Sequence, residues 1–226
     1  MLKILNNYSG MLAEYLGTTL IITIIAMLFA LLIGLIFGLL NISKSKILNI
    51  LGTIYVDGVR GVPLIVLAFF IYFGIPMAIQ NIRFLGMPHF KFDAVTAGII
   101  ALSLNAGAYM AEIFRGGIQS IDKGQMEAAR SLGLSYGKSM RRIVIPQAIR
   151  VMIPSFVNQF IISLKDTSIL SVIGIKELTS AGNNIVQNTY DALGAWAIIG
   201  IIYMIVIISL SRLAKILERR MRRGYQ

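Results

Sequence analysis

LGTTLIITIIAMLFALLIGLIFGLL, residues 16–40, carries no charge, and nothing charged occurs anywhere between Glu14 and Lys44. A helix needs about 20 apolar residues to cross the hydrocarbon core of a bilayer, because each unpaired backbone group in lipid costs several kcal/mol. The stretch therefore reads as a membrane-spanning helix. Composition agrees, since 57% of the 226 residues are hydrophobic and 14% are charged, a balance too apolar for a soluble domain of this size. The amino end lacks a basic segment followed by a short apolar core and a small-residue cleavage site. The first span is thus expected to be retained as an anchor.

Working outward, further spans are expected at residues 62–79, 94–114 and 193–213. The apolar run that begins at Val151 stops at Leu164, too short to cross alone. It resumes from Thr167 to Ile175, so the fourth span is read as 151–175, past Lys165 and Asp166. The expected fold is an all-α membrane protein of five transmembrane helices forming a single domain over residues 1–226. Lys and Arg cluster at Lys44 and Lys46, between Arg115 and Arg150, and at Arg212, Lys215, Arg219, Arg220, Arg222 and Arg223. The alternate segments hold only Lys3, Arg83, Lys91 and Lys176. Basic residues near span ends stay cytoplasmic, so the amino end is expected outside and the carboxyl end inside. The excess of 21 basic over 10 acidic residues is thereby assigned to topology. Membrane lipid is the expected surround, and nucleic acid is rejected as a partner. With no Cys and a single His89, disulfides and a protein-held metal are not expected, nor is any other cofactor.

Residues 119–147 are too long and too patterned for a plain connector. Asp122 can cap a short helix running to about Leu132, and Gly133 suits the left-handed position that closes it. Ser135 can cap a second helix expected to end before Pro146. Two readings stay open from pattern alone. The small Ala128 and Ala129 beside Glu127 could enter a groove on a soluble partner, or the pair could lie at the membrane interface with no partner. The string GLSYGKS from Gly133 to Ser139 ends like a phosphate-binding loop. Only three residues separate its glycines and no strand precedes it, so it is rejected as one.

Charges at bilayer depth cost at least about 2.5 kcal/mol and commonly line a cavity or pair with one another. Asn105, Tyr109 and Glu112 follow one another at spacings that share a helix stripe. Asp57 and Arg60 sit where the second span begins, and Lys165 with Asp166 interrupts the fourth. The functional reading is a substrate cavity formed by Asp57, Asn105, Tyr109, Glu112, Lys165 and Asp166. The structural reading pairs Lys165 with Asp166 or Glu112, and Arg60 with Asp57, to tie helices together. Three acids against two bases favour a cationic amino acid. Gly34 and Gly38 are expected to let helices pack closely, and Tyr190 with Trp196 to lie in the outer interface belt. An ion-coupled carrier or channel using Glu112 and Asp166 is the rival reading, and five spans without an internal repeat argue against it. A membrane-embedded enzyme would need a nucleophile with a base, and no such pair is evident.

Glu127, Ala128 and Ala129, then Gly133, then Ile143, Ile145 and Pro146 resemble the signature loop of ATP-binding-cassette (ABC) importer permeases, with Ile145 where Leu is usual. RGVPL at Arg60 to Leu64, LSLNAGAYMAEIFRGGIQSIDKGQ from Leu102 to Gln125, and SLKDTS from Ser163 to Ser168 are similar to the polar amino acid permeases of that superfamily, the histidine, glutamine and arginine type. The resemblance implies a type I ABC importer transmembrane domain with a cytoplasmic coupling-helix loop. It implies docking of Glu127, Ala128, Ala129 and Gly133 into ABC ATPase subunits that hydrolyse the ATP. It also implies a second permease copy and an extracytoplasmic binding protein that delivers an amino acid.

Overall fold

The computed structural model describes residues 2–81 and 90–222, with side chains described for residues 3–81 and 90–216. Arg83, His89 and Arg223 lie outside the described residues, as do the side chains of Arg219, Arg220 and Arg222. The helices in chain order are α1 (Leu2–Asn41), α2 (Lys46–Arg60), α3 (Leu64–Asn81), α4 (Ala94–Gln119), α5 (Lys123–Ser131), α6 (Tyr136–Ile173), α7 (Leu178–Thr189) and α8 (Ala192–Arg222). Five of them, α1, α3, α4, α6 and α8, are long and apolar enough to cross a membrane.

Helix α1 starts well before the uncharged run because its amino-terminal turns bury Ile4, Leu12 and Tyr15 against α7 and α8. Thr19 and Thr23 are fully buried there, yet both hydroxyls donate back to the carbonyls of Tyr15 and Thr19, at 3.0 and 2.7 Å. The Thr19 hydroxyl oxygen also accepts from the Leu178 amide at 3.0 Å, which ties α1 to the start of α7. The hydroxyls of Thr19 and Thr23 are thus satisfied locally, as a low-dielectric surround demands.

The central seam is α1 against α4. Ala101, Ala106, Ala108 and Ala111 of α4 are wholly buried. A β-carbon on Gly34 would collide with the β-carbon of Met110, and one on Gly38 would meet the Phe114 β-carbon at 2.8 Å and the Ala111 carbonyl at 2.9 Å. Small residues let the two backbones approach, which is how helices associate where lipid removes the hydrophobic driving force. Helix α2 joins this seam through Tyr55, whose hydroxyl donates to the Leu104 carbonyl at 2.8 Å and whose ring stacks on Phe37 with centroids 3.8 Å apart. Residues 61–63 then break the chain between α2 and α3, with Pro63 at the N-cap of α3.

Pro146 does not end a second short helix. The helix that starts at Tyr136 passes through it into the fourth span, so the paired short helices expected at 119–147 are one short helix and the beginning of a long one. A π turn at Met140–Val144 precedes the proline. Widening the turn there removes the demand for the amide that proline lacks and relieves its ring from the preceding carbonyl. At its far end α6 tightens into a 3-10 turn over Thr167–Ile173 and stops at Gly174, whose φ is 89°.

Glu177, outside the spans, is 0% exposed. Its carboxylate caps α7, accepting from the amides of Thr179 and Ser180 at 2.8 and 2.7 Å and from the Tyr203 hydroxyl at 3.1 Å. Burial pushes the Glu177 carboxyl up from its ordinary range, while these hydrogen bonds pull it the other way.

Candidate functional site

Helices α4 and α6 diverge to leave a cleft of about 690 Å³. Tyr109, Glu112 and Gly116 line it from one stripe of α4, and Ser120 from the C-cap that follows. Val151, Ser155, Asn158 and Gln159 line it from α6. Pro154 sits within α6 beside them. Behind the cleft, a second compartment of about 450 Å³ lies among α1, α2 and α4. Asn41, Asn49, Thr53, Asp57, Arg60, Glu112 and Arg115 are among the residues that line it.

Glu112 borders both spaces. Arg115, one turn further along α4, donates to its two oxygens at 3.0 and 2.8 Å and to the Gln119 side chain at 2.8 Å. Arg60 reaches the same carboxylate from α2 at 3.8 Å, and its guanidinium lies 5.2 Å from the centre of the Tyr109 ring. Arg60 therefore pairs across to α4 and not with Asp57, and Glu112 takes arginines in place of Lys165. The reason is geometric. Arg60 ends α2 at the face packed on α4, while Lys165 lies at the far end of α6.

The six expected substrate residues thus divide. Tyr109 and Glu112 line the cleft, and Asp57 joins Glu112 in the compartment behind it. Asn105, only 7% exposed, is buried one turn before Tyr109 on α4. Lys165 is exposed and Asp166 half-buried where α6 tightens, and like Asn105 they line neither space. Sequence reading passed over Arg115, Asn158 and Gln159. The signal for Arg115 was its three-residue spacing from Glu112, and for the other two the placement of carboxamides inside an apolar run.

Just beyond the cleft's Ser120, the Asp122 side chain caps α5 by accepting from the Gly124 amide at 2.6 Å. Gly133, at φ 82°, closes that helix. Its amide donates to the Arg130 carbonyl at 3.0 Å and that of Leu134 to the Ala129 carbonyl at 3.2 Å, the paired bonds of a left-handed helix stop. Glu127 and Ala128 are exposed, whereas Ala129 is only 2% exposed and packs inward. Leu132 is 83% exposed beside Gly133, and Tyr136, also exposed, has the Lys44 ammonium 5.9 Å from its ring.

The bundle and its cleft, apolar-walled with a few polar groups, define a multi-span transport subunit. The chain belongs to the family described as binding-protein-dependent transport system inner membrane component, whose model matches residues 30–223. It is therefore a multi-pass inner membrane protein and a transport component, in a system whose ATP hydrolysis falls to a separate subunit. It is 40% identical over 176 residues to the glutamine transport system permease protein GlnP of Escherichia coli (strain K12), covering 78% of this chain and 77% of that protein. It is 38% identical over 168 residues to the arginine transport system permease protein ArtQ of Bacillus subtilis (strain 168), covering 74% and 73%. A solved structure described as an amino acid ABC transporter with histidines matches with a TM-score of 0.87 and 36% identity, covering 96% of each chain.

Proposed function

We propose that this permease carries polar L-amino acids inward by ATP-driven alternating access, as one of two identical copies gripped by ATPase subunits and fed by an extracytoplasmic binding protein. Arginine, lysine and histidine are the favoured cargo. The observation that carries the reading is the juxtaposition, in one chain, of an exposed capped turn from Glu127 to Tyr136 and a cleft between α4 and α6 that places Glu112, Asn158 and Gln159 in a largely apolar wall. The similarity to permeases of glutamine and arginine systems supports the substrate class.

In this account the ATPase holds Glu127 and Ala128, while buried Ala129 and left-handed Gly133 fix the turn that presents them. Closure of the ATPases on ATP draws the paired loops together and rocks the helices between inward- and outward-facing states. The amino end lies outside and the carboxyl end in the cytoplasm. The substrate path takes in Asp57, Asn105, Tyr109, Glu112, Lys165 and Asp166. Because both oxygens of Glu112 are engaged by Arg115, Asp57 and Asp166 are the acids left to meet a cationic side chain. The test is uptake of radiolabelled arginine, lysine and histidine into proteoliposomes holding the chain, its binding protein and ATP. Uptake that requires the ATPase subunit supports the reading, and equal uptake without it favours an ion-coupled carrier.

A further inference from the structure

The cleft between α4 and α6 contains recognition chemistry that the charged residues do not account for. Ser155 and Asn158 are exposed on α6 within this chain, one turn apart on the face that borders the cleft. A carboxamide turned to hydrocarbon costs several kcal/mol, so this face is not one the lipid covers. Gln159, next in sequence, is 5% exposed, also lines the cleft, and donates from its amide nitrogen to the Ser163 hydroxyl at 3.3 Å. That bond orients the amide and leaves its carbonyl oxygen to accept from a ligand. Lys165 stands two turns further along α6, about 10 Å away.

We infer that Asn158 and Gln159 form a second, inner station on the path, which takes an amino acid by a side chain ending in a planar N–H group, the guanidinium of arginine or the carboxamide of glutamine. The inference rests on the transport reading above and adds to it a specificity site distinct from the level of Asn105, Lys165 and Asp166. Two neutral carboxamides beside a carboxylate already compensated by arginine present dipoles rather than net charge. Such a wall accepts a neutral carboxamide and a guanidinium alike, and discriminates against side chains that bring no N–H. The cleft, at about 690 Å³, falls within the usual range of small-molecule sites.

The test is equilibrium binding of radiolabelled arginine and of radiolabelled glutamine to the detergent-purified permease–ATPase complex without the binding protein. Asn158→Asp, at an exposed position, is expected to shift the ratio of the two affinities toward arginine by about tenfold. Asn158→Leu is expected to weaken both by about tenfold, and Gln159→Leu to reproduce that loss. If all three variants assemble with the ATPase and bind both amino acids within twofold of the parent, the inner station is overturned. If the parent complex binds neither amino acid and, supplied with the binding protein and ATP in proteoliposomes, also takes up neither, the transport reading falls first and takes this site with it.

Discussion

Glycine serves opposite purposes in two regions of this molecule. At the α1–α4 seam, Gly34 and Gly38 have ordinary helical backbones and no room, so any β-carbon meets α4. At the turn between α5 and α6, Gly133 has nothing within 4 Å of where a β-carbon would sit, but its φ is 82°. The seam demands small volume and the turn demands a left-handed backbone. One region is held by its own packing, and the other displays the surface that the proposed docking on an ATPase subunit would use.

Substitutions separate the two demands. Gly34→Leu should have the largest effect, because a wedge between packed backbones costs about 3 kcal/mol and a β-carbon there already collides with Met110. Thermal unfolding in detergent would register it as a lowered midpoint and poor recovery, and a parent-like midpoint would refute the seam. Gly133→Val should act differently. The side chain fits, the strained backbone costs about 1–2 kcal/mol, and the chain should reach the membrane in near-normal amount while uptake falls at least tenfold. Gly133→Asn sharpens the point, since asparagine tolerates the left-handed conformation and should restore most transport. A Val variant that transports as well as the parent would show that the turn's shape is not what the partner reads.

Next in size is Glu112→Gln, which removes the charge joining Arg115 and Arg60. Hydrogen bonds to charged groups contribute about 1.5–3 kcal/mol, so arginine uptake should drop several-fold. Unchanged uptake of arginine, lysine and histidine would remove Glu112 from the path. The smallest effect concerns Glu177. Its carboxyl in the folded state lies above its unfolded value, so the folded chain holds that proton more tightly. The stability this contributes is full below the unfolded value and is lost as pH rises through the folded one. Midpoints measured from acid to neutral pH should fall more for the parent than for Glu177→Gln, and parallel profiles would count against a buried, proton-holding Glu177.

Much of this architecture was legible in the residues. Uncharged runs located the spans because lipid forbids unpaired backbone and charge, and Gly133 was legible because few residues close a helix in the left-handed region. Pro146 misled because a π turn upstream, invisible in a one-dimensional pattern, absorbs its cost. The partner of Glu112 misled for another reason. Spacing along α4 identified its stripe, but the choice among Arg60, Arg115 and Lys165 depends on how α2 and α6 lie against it. Ala129 shares the signature with Ala128 yet faces inward, a distinction set by the phase of α5 against α6 and not by residue type.

The chain has no cysteine, so a single Leu132→Cys substitution places one thiol at the exposed tip of the turn between α5 and α6. A short bifunctional thiol-reactive reagent applied to the assembled transporter is predicted to join that thiol to the ATPase subunit, with a yield that changes when ATP is bound. An accessible thiol at position 132 that never joins the ATPase, in a complex that still imports its amino acid, would contradict the account.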